Sequence, residues 1–152
     1  MEIQKDYKEL LELFNAHKVE YLIVGGFALA FYGAPRFTGD IGLLVKPDIE
    51  NARHILAALK DFGFDSLELS ESDFLKLDNV IQLGFPPVRI DIVTSITGVD
   101  WQKAANGKIA GKYGDVDVFF IGKEEFIANK KASGRVKDLA DIEAIEENDQ
   151  KK

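Results

Sequence analysis

Cysteine is absent from the chain, which excludes a disulfide framework, a thiolate nucleophile and cysteine-ligated zinc. Histidine is scarce: the two residues, His17 and His54, fall on predicted helices away from the acidic residues discussed below, so a histidine-rich metal site is not expected. Any metal would be held by carboxylates, and oxygen ligands suit magnesium or manganese. No apolar run approaches the roughly 20 residues that a membrane helix needs. The opening Met1-Glu2-Ile3-Gln4-Lys5-Asp6 lacks the basic segment and apolar stretch of a secretory signal. These absences predict a soluble, cytoplasmic protein. Positive charge is also in short supply. A formal net charge of −7 opposes wholesale binding to a phosphate backbone, which relies on a broad Lys/Arg surface. One local excess remains: Lys123, Lys130, Lys131, Arg135 and Lys137 outnumber Glu124 and Glu125, an excess of three (5 − 2) that reads either as a basic patch or as a solvated helix face.

What is present is an ordinary soluble balance of 46% hydrophobic and 30% charged residues in 152, enough to bury one sizeable core. A single domain is expected over residues 1–145, followed by a charged tail, residues 146–152, that frays. Ile3, Tyr7, Leu10, Leu11 and Phe14 recur at helical spacing and predict an amphipathic helix over residues 3–17. Tyr21-Leu22-Ile23-Val24 reads as a short buried strand, Gly25-Gly26 as a turn, and residues 27–32 as a short helix closed by Gly33 and Pro35. Residues 40–45 form the next predicted strand. Asp48 is the expected N-cap of a helix through Ile49, Ala52, Ile55, Leu56 and Leu59, ended by Gly63.

The runs 80–83 and 88–93 predict a hairpin around Gly84-Phe85-Pro86-Pro87. Residues 100–105 predict a short helix, residues 108–113 and 116–120 a strand pair around Gly114-Asp115, and the remainder is helical. Trp101 and the eleven phenylalanines are expected in the core. The whole predicts an α/β or α+β domain, a mixed sheet with helices at its sides.

Three separated elements attract chemical interest. The Gly25-Gly26 turn is either the tight turn that lets a helix pack close to a strand or a place where backbone N–H groups meet a phosphate. Asp40 opens a buried strand and is either a solvated strand end or a ligand; strand alternation puts it on one face with Gly42 and Leu44. Asp91 sits inside an apolar stretch and shares a face with Arg89 and Val93, so it is either a functional carboxylate or half of an ion pair with Arg89 or another basic residue. Arg36 is either a phosphate fork or a surface arginine in a loop.

The stretch Tyr21-Leu22-Ile23-Val24-Gly25-Gly26-Phe27-Ala28-Leu29-Ala30-Phe31-Tyr32-Gly33, then Pro35-Arg36-Phe37-Thr38-Gly39-Asp40-Ile41, then Val88-Arg89-Ile90-Asp91-Ile92-Val93 resembles the small bacterial and archaeal nucleotidyltransferases related to the AbiEii toxins. The run from Phe126 through Lys130, Arg135, Lys137, Asp138, Leu139 and Asp141 resembles that group's closing helical region. The resemblance implies a nucleotidyltransferase fold and a site in which two aspartates, two residues apart on one strand, hold divalent metal with a third carboxylate on a neighbouring strand. Two such ions would hold a nucleoside triphosphate and stabilise the entering and leaving oxygens of an in-line displacement. It further implies that Gly25 and Gly26 line the phosphate loop, that Asp40 and Asp91 are catalytic and ligate magnesium or manganese, and that Lys130 and Arg135 face the triphosphate. The plainer reading of Lys130 and Arg135 is an exposed amphipathic helix whose Leu139, Ile142 and Ile145 dock on the sheet.

The departure from the pattern is Gly42, which stands where the second aspartate is expected and offers no side-chain ligand. Glycine is a poor strand residue, so it marks either a natural loss of activity or a substitution made to disable a site; water or a substrate phosphate in the missing position would let some activity survive. The expected function is binding of a nucleoside triphosphate and transfer of a nucleoside monophosphate, weakened by Gly42, to a protein hydroxyl, an RNA end or a small molecule. The alternatives are an inactive nucleotide- or partner-binding module and a toxin–antitoxin component with a cognate partner.

Overall fold

The computed structural model describes residues 3–34, 39–64, 68–85 and 88–150. Helix α1 (Lys5–Ala16) forms where the helical spacing predicts it, and Tyr7, Leu10, Leu11 and Phe14 are its buried face. Strand β1 (Tyr21–Val24) leads through Gly25 into α2 (Gly26–Phe31), and β2 (Asp40–Val45) leads into α3 (Ile49–Phe62). Asp48 caps α3 by accepting from the Asn51 amide, and Gly63 ends it with φ +106°, a left-handed conformation that glycine takes without steric cost. A 3-10 helix (Glu71–Phe74) precedes the antiparallel pair β3 (Val80–Phe85) and β4 (Val88–Val93). Then come α4 (Trp101–Asn106), the antiparallel pair β5 (Ile109–Tyr113) and β6 (Val116–Phe120), and two helices, α5 (Lys123–Ser133) and α6 (Val136–Gln150).

The six strands make one sheet in the order β3-β4-β2-β1-β6-β5. Strands β1 and β2 pair antiparallel, whereas β2 with β4 and β1 with β6 pair parallel, so the sheet is mixed as expected. Side-chain alternation divides it into two unlike faces. Tyr21, Ile23, Ile41, Leu43, Val45, Ile90 and Ile92 point into the main core beneath α1 and α3. Leu22 and Leu44 point the other way, into a smaller cluster with Val99 and Ala104, against which Val24, Val93, Trp101 and Ala128 pack. Asp40, Gly42, Arg89 and Asp91 lie on this second face, beyond its apolar end.

Several expectations are modified. The proposed tail is helical to Gln150, because α6 continues through residues 146–150. Not every phenylalanine is core: Phe85 at the end of an edge strand is 85% exposed. On α6, Ile142 and Ile145 are buried but Leu139 is exposed, so only part of that predicted apolar stripe docks. Gly84 and Phe85 extend β3 rather than forming the turn.

One buried polar residue ties the start of the sheet to α3. Asn51 accepts from the Glu20 amide at 2.8 Å and donates to the carbonyls of Glu20 and Lys46, each at 3.0 Å. Its side chain thus engages three backbone groups at the end of the β1–β2 pairing, where the Glu20 carbonyl also accepts from the Lys46 amide at 3.2 Å. Asn51→Ala should destabilise the fold by roughly 2–3 kcal/mol, more than the ~1 kcal/mol expected for removing the cap with Asp48→Ala. Urea unfolding would report both as a lower midpoint with an unchanged slope.

Candidate functional site

The site is built by register. The β2–β4 ladder aligns Asp40 with Arg89 and Gly42 with Asp91; β3 sets Gln82 beside Asp91 and Gly84 beside Arg89, and β1 sets Val24 beside Gly42. Paired residues share a face, so two rows result. Gln82, Asp91, Gly42 and Val24 form one, and Gly84, Arg89 and Asp40 form the other. The last pair of the β1–β2 ladder, Val24 with Gly42, sits where β1 gives way to the Gly25-Gly26 turn, and α2, which starts at Gly26, packs against β2. Asp40 and Asp91, far apart in the chain, are therefore neighbours at the end of the sheet from which the glycine turn departs.

Gly25 has φ +71°, which accounts for glycine there by conformation, and a Cβ at that position would meet nothing within 4 Å. Gly84 is constrained differently: besides φ +75°, its Cβ would fall 2.5 Å from the Val88 carbonyl oxygen. Gly42 lies in ordinary strand backbone. A Cβ there would sit 3.1 Å from Val24 Cγ2, so Val24 partly fills the space that a side chain at position 42 would occupy.

Arg89 contacts both carboxylates. Its Nη2 donates to Asp91 Oδ2 at 3.2 Å and lies 3.4 Å from Asp40 Oδ2, while its Nε lies 3.2 Å from Asp91 Oδ1. Nε and Oδ1 are buried and face each other out of line for a hydrogen bond, so their attraction is that of an ion pair. The Asp91 side chain is 14% exposed, against 33% for both Asp40 and Arg89. Burial raises the Asp91 carboxyl above the usual carboxylate range, and the hydrogen bond and negative charge of Asp40 act in the same direction, opposed by the Arg89 cation. From beneath, Tyr7 on α1 fixes the backbone of both strands: its hydroxyl donates to the Arg89 carbonyl at 3.0 Å and the Gly39 carbonyl at 3.3 Å.

The ion-pair alternative for Asp91 is thus the observed arrangement, and it bears on the expected metal. Among the described residues, no three His, Cys, Asp or Glu side chains gather in a way that could hold a metal ion. Asp40 and Asp91 share a guanidinium, and the second aspartate of the pattern that the sequence resembles is missing at Gly42. These residues do not fit a pair of divalent cations.

The remaining predicted residues divide. Arg36 lies outside the described residues. Lys130 and Arg135 are held by acidic partners on α6: Lys130 Nζ lies 3.3 Å from Asp138 Oδ1 and 3.6 Å from Asp141 Oδ2, and Arg135 Nε donates to Asp138 Oδ2 at 2.7 Å. The basic excess of residues 123–137 is therefore offset by carboxylates just beyond it. Lys130 is largely buried in this cluster, while Arg135 is 69% exposed. Val24 and Gln82 flank the Gly42–Asp91 pair and were not foreseen, since nothing in an apolar strand marks which of its residues will adjoin a carboxylate on another.

Comparison with solved structures finds this fold in nucleotidyltransferases. The lincosamide antibiotic adenylyltransferase LnuA, lincomycin-bound, is 15% identical with a TM-score of 0.56 over 94% of this chain and 96% of its own. A Thermotoga maritima protein provisionally described as a nucleotidyltransferase is 13% identical with a TM-score of 0.60 over 99% and 97%. An antigenic nucleotidyltransferase-like protein from Paracoccidioides brasiliensis is 18% identical with a TM-score of 0.55, over 94% of this chain and 77% of its own. No protein-family model and no curated protein matches the chain. At such identities the likeness establishes the nucleotidyltransferase fold, in agreement with the sequence expectation, and leaves the reaction to be argued from the site.

The α5–α6 cluster has a pH signature. Asp138 is fully buried, and its hydrogen bond with Arg135, followed by that with Lys130 and the charges of both, holds its carboxyl below the usual range against the opposing effect of burial. A carboxyl with a depressed folded pKa contributes stability above its unfolded pKa and loses it as pH falls through the folded value. Asp138→Asn should therefore destabilise the protein at neutral pH, by roughly 3 kcal/mol since Lys130 keeps Asp141 nearby. The gap to the unsubstituted protein should narrow once pH drops below the ordinary aspartate range, as followed by urea unfolding at several pH values.

Proposed function

We propose that this protein binds a nucleoside triphosphate on the sheet face formed by the Gly25-Gly26 turn, Asp40 and Asp91, and that nucleotidyl transfer from it is lost or residual. What supports the reading is the register that sets Asp40 and Asp91 on one sheet face at the strand end where the Gly25-Gly26 turn begins, in a nucleotidyltransferase fold. What argues against efficient transfer is the same face: Gly42 supplies no carboxylate, and Arg89 already engages the two that remain. Transition-state charge in phosphoryl-type transfer is stabilised by cations placed around the reacting phosphate. A guanidinium committed to two aspartates is a weak substitute for two metal ions. Binding needs less, because backbone N–H groups and basic side chains can hold phosphates without completing the reaction.

At a finer grain, the motifs around Gly25-Gly26 and Asp40 support kinship with the AbiEii toxin group and hence a cognate partner protein; copurification from the native host that recovers no specific partner would remove that part. The acceptor, should transfer persist, is a hydroxyl of a protein, an RNA end or a small molecule.

Thermal unfolding with ATP, GTP, CTP and UTP, each with and without magnesium or manganese, tests the reading without knowledge of an acceptor. At least one nucleotide should raise the melting temperature, by roughly 5–10 °C at a concentration of about 100 dissociation constants. Gly42→Asp should add a metal-dependent component. Since the new Cβ would press on Val24 Cγ2, that gain should be fuller when Val24→Ala accompanies it. If no nucleotide moves the unsubstituted protein or either variant, nucleotide binding is ruled out and the face serves something else.

A further inference from the structure

We propose that Arg89 is the resident cation of this site, setting its fixed monovalent charge against both Asp40 and Asp91, the two carboxylates with which the fold family would hold a divalent ion, so that the site is assembled without metal and resists its entry. Three observations on separate strands converge on this. First, the parallel register puts Arg89 directly beside Asp40, with Asp91 two residues further along the same face of β4. The guanidinium has little distance to cover. Second, its contacts span both carboxylates: Nε and Nη2 address the two oxygens of Asp91, and Nη2 also reaches Oδ2 of Asp40. The planar fork is suited to such shared recognition in a way that a lysine ammonium is not. Third, two of the places around the trio offer a divalent ion no side-chain ligand, which leaves the Gln82 amide as the one uncharged donor that the register sets beside Asp91. Gly42 beside Asp91 has no side chain, and Gly84 beside Arg89 admits none, because its Cβ would strike the Val88 carbonyl.

The charge balance follows from this arrangement. Two carboxylates and one guanidinium sum to −1 (1 − 2), where a further carboxylate at position 42 would make it −2 (1 − 3). A divalent ion approaching Asp91 meets oxygens already engaged and a like charge in contact with them. Both effects weaken its binding. Arg89 is thereby a positioning residue: it holds the aspartate side chains in a fixed arrangement that would otherwise bring two like charges together on one sheet face. The argument from these contacts applies whether or not a nucleotide binds.

Manganese binding to the full-length protein in the absence of nucleotide, followed by water-proton relaxation enhancement, tests this. The unsubstituted protein should show no saturable manganese binding that depends on Asp91, as judged against Asp91→Asn. Arg89→Gln, which keeps much of the side-chain bulk but removes the charge, should gain saturable manganese binding at concentrations at least about tenfold below any at which the unsubstituted protein responds. Arg89→Lys, which keeps a cation, should fall close to the unsubstituted protein. Saturable manganese binding to the unsubstituted protein that Asp91→Asn abolishes would overturn the assignment, and so would a folded Arg89→Gln protein that takes manganese no more tightly. Should Arg89→Gln fail to fold, the comparison between the unsubstituted protein and Asp91→Asn decides alone. Because no nucleotide is present, these results stand apart from success or failure of the nucleotide-binding reading.

Discussion

The parallel pairing of β2 with β4 is the constraint from which the rest of this molecule's interest follows. Its register decides that Arg89 adjoins Asp40 and that Gly42 adjoins Asp91. A slip of one residue would turn one strand's set of side chains to the opposite face and set charges against the main core. That alternative is prevented by the apolar residues in between. Ile41, Leu43, Ile90 and Ile92 are all essentially buried, and they can be so together only in a register that leaves Asp40, Arg89 and Asp91 on the opposite, more open face. Hydrophobic burial on one side of the sheet thus dictates electrostatics on the other. The Tyr7 hydroxyl reinforces the arrangement by engaging the backbone of both strands at the open end.

Within that frame, charge rather than shape distinguishes this site from the pattern its motifs resemble. Two half-buried aspartates on adjacent strands repel unless a cation or a proton intervenes. Here a guanidinium contacts both, and burial with a neighbouring carboxylate pulls Asp91 toward its neutral form at the same time. Glycine at position 42 is consistent with this balance, since a third carboxylate would add a negative charge where one internal arginine already serves two. Val24 also leans into the space above Gly42. The change at position 42 is therefore accommodated by its surroundings and leaves no open gap in the sheet.

The α5–α6 cluster illustrates a different use of charge. Lys130 and Arg135 meet on the buried Asp138, and the Lys130 contacts join α5 to α6. Read along the chain, the lysines and arginine form a positive stretch, and the neutralising aspartates fall just after it, on the next helix. The sequence made the charges visible but not their pairing, because a turn at Gly134 folds one helix back on the other. Asn51 was hidden for a related reason. A polar residue in the first turn of a helix looks like part of the solvated end, and its value to Glu20 and Lys46 exists only once three segments meet.

Local chemistry in the sequence by itself determined most elements: helical spacing in α1 and α3, the cap at Asp48, the breaks at Gly63 and Gly114, and the alternation that separates Asp40, Arg89 and Asp91 from the isoleucines between them. These follow from interactions over a few residues, where side-chain periodicity and backbone preference act directly. Tertiary structure alone decided the order β3-β4-β2-β1-β6-β5, the adjacency of Asp40 to Arg89, the approach of Val24 to Gly42 and the exposure of Phe85. Those are properties of strand pairing across long chain separations, and a linear pattern of apolar and polar residues is compatible with more than one such pairing. The sequence could name the two aspartates and offer Arg89 as a partner of Asp91; only the assembled sheet brought that arginine to Asp40 as well.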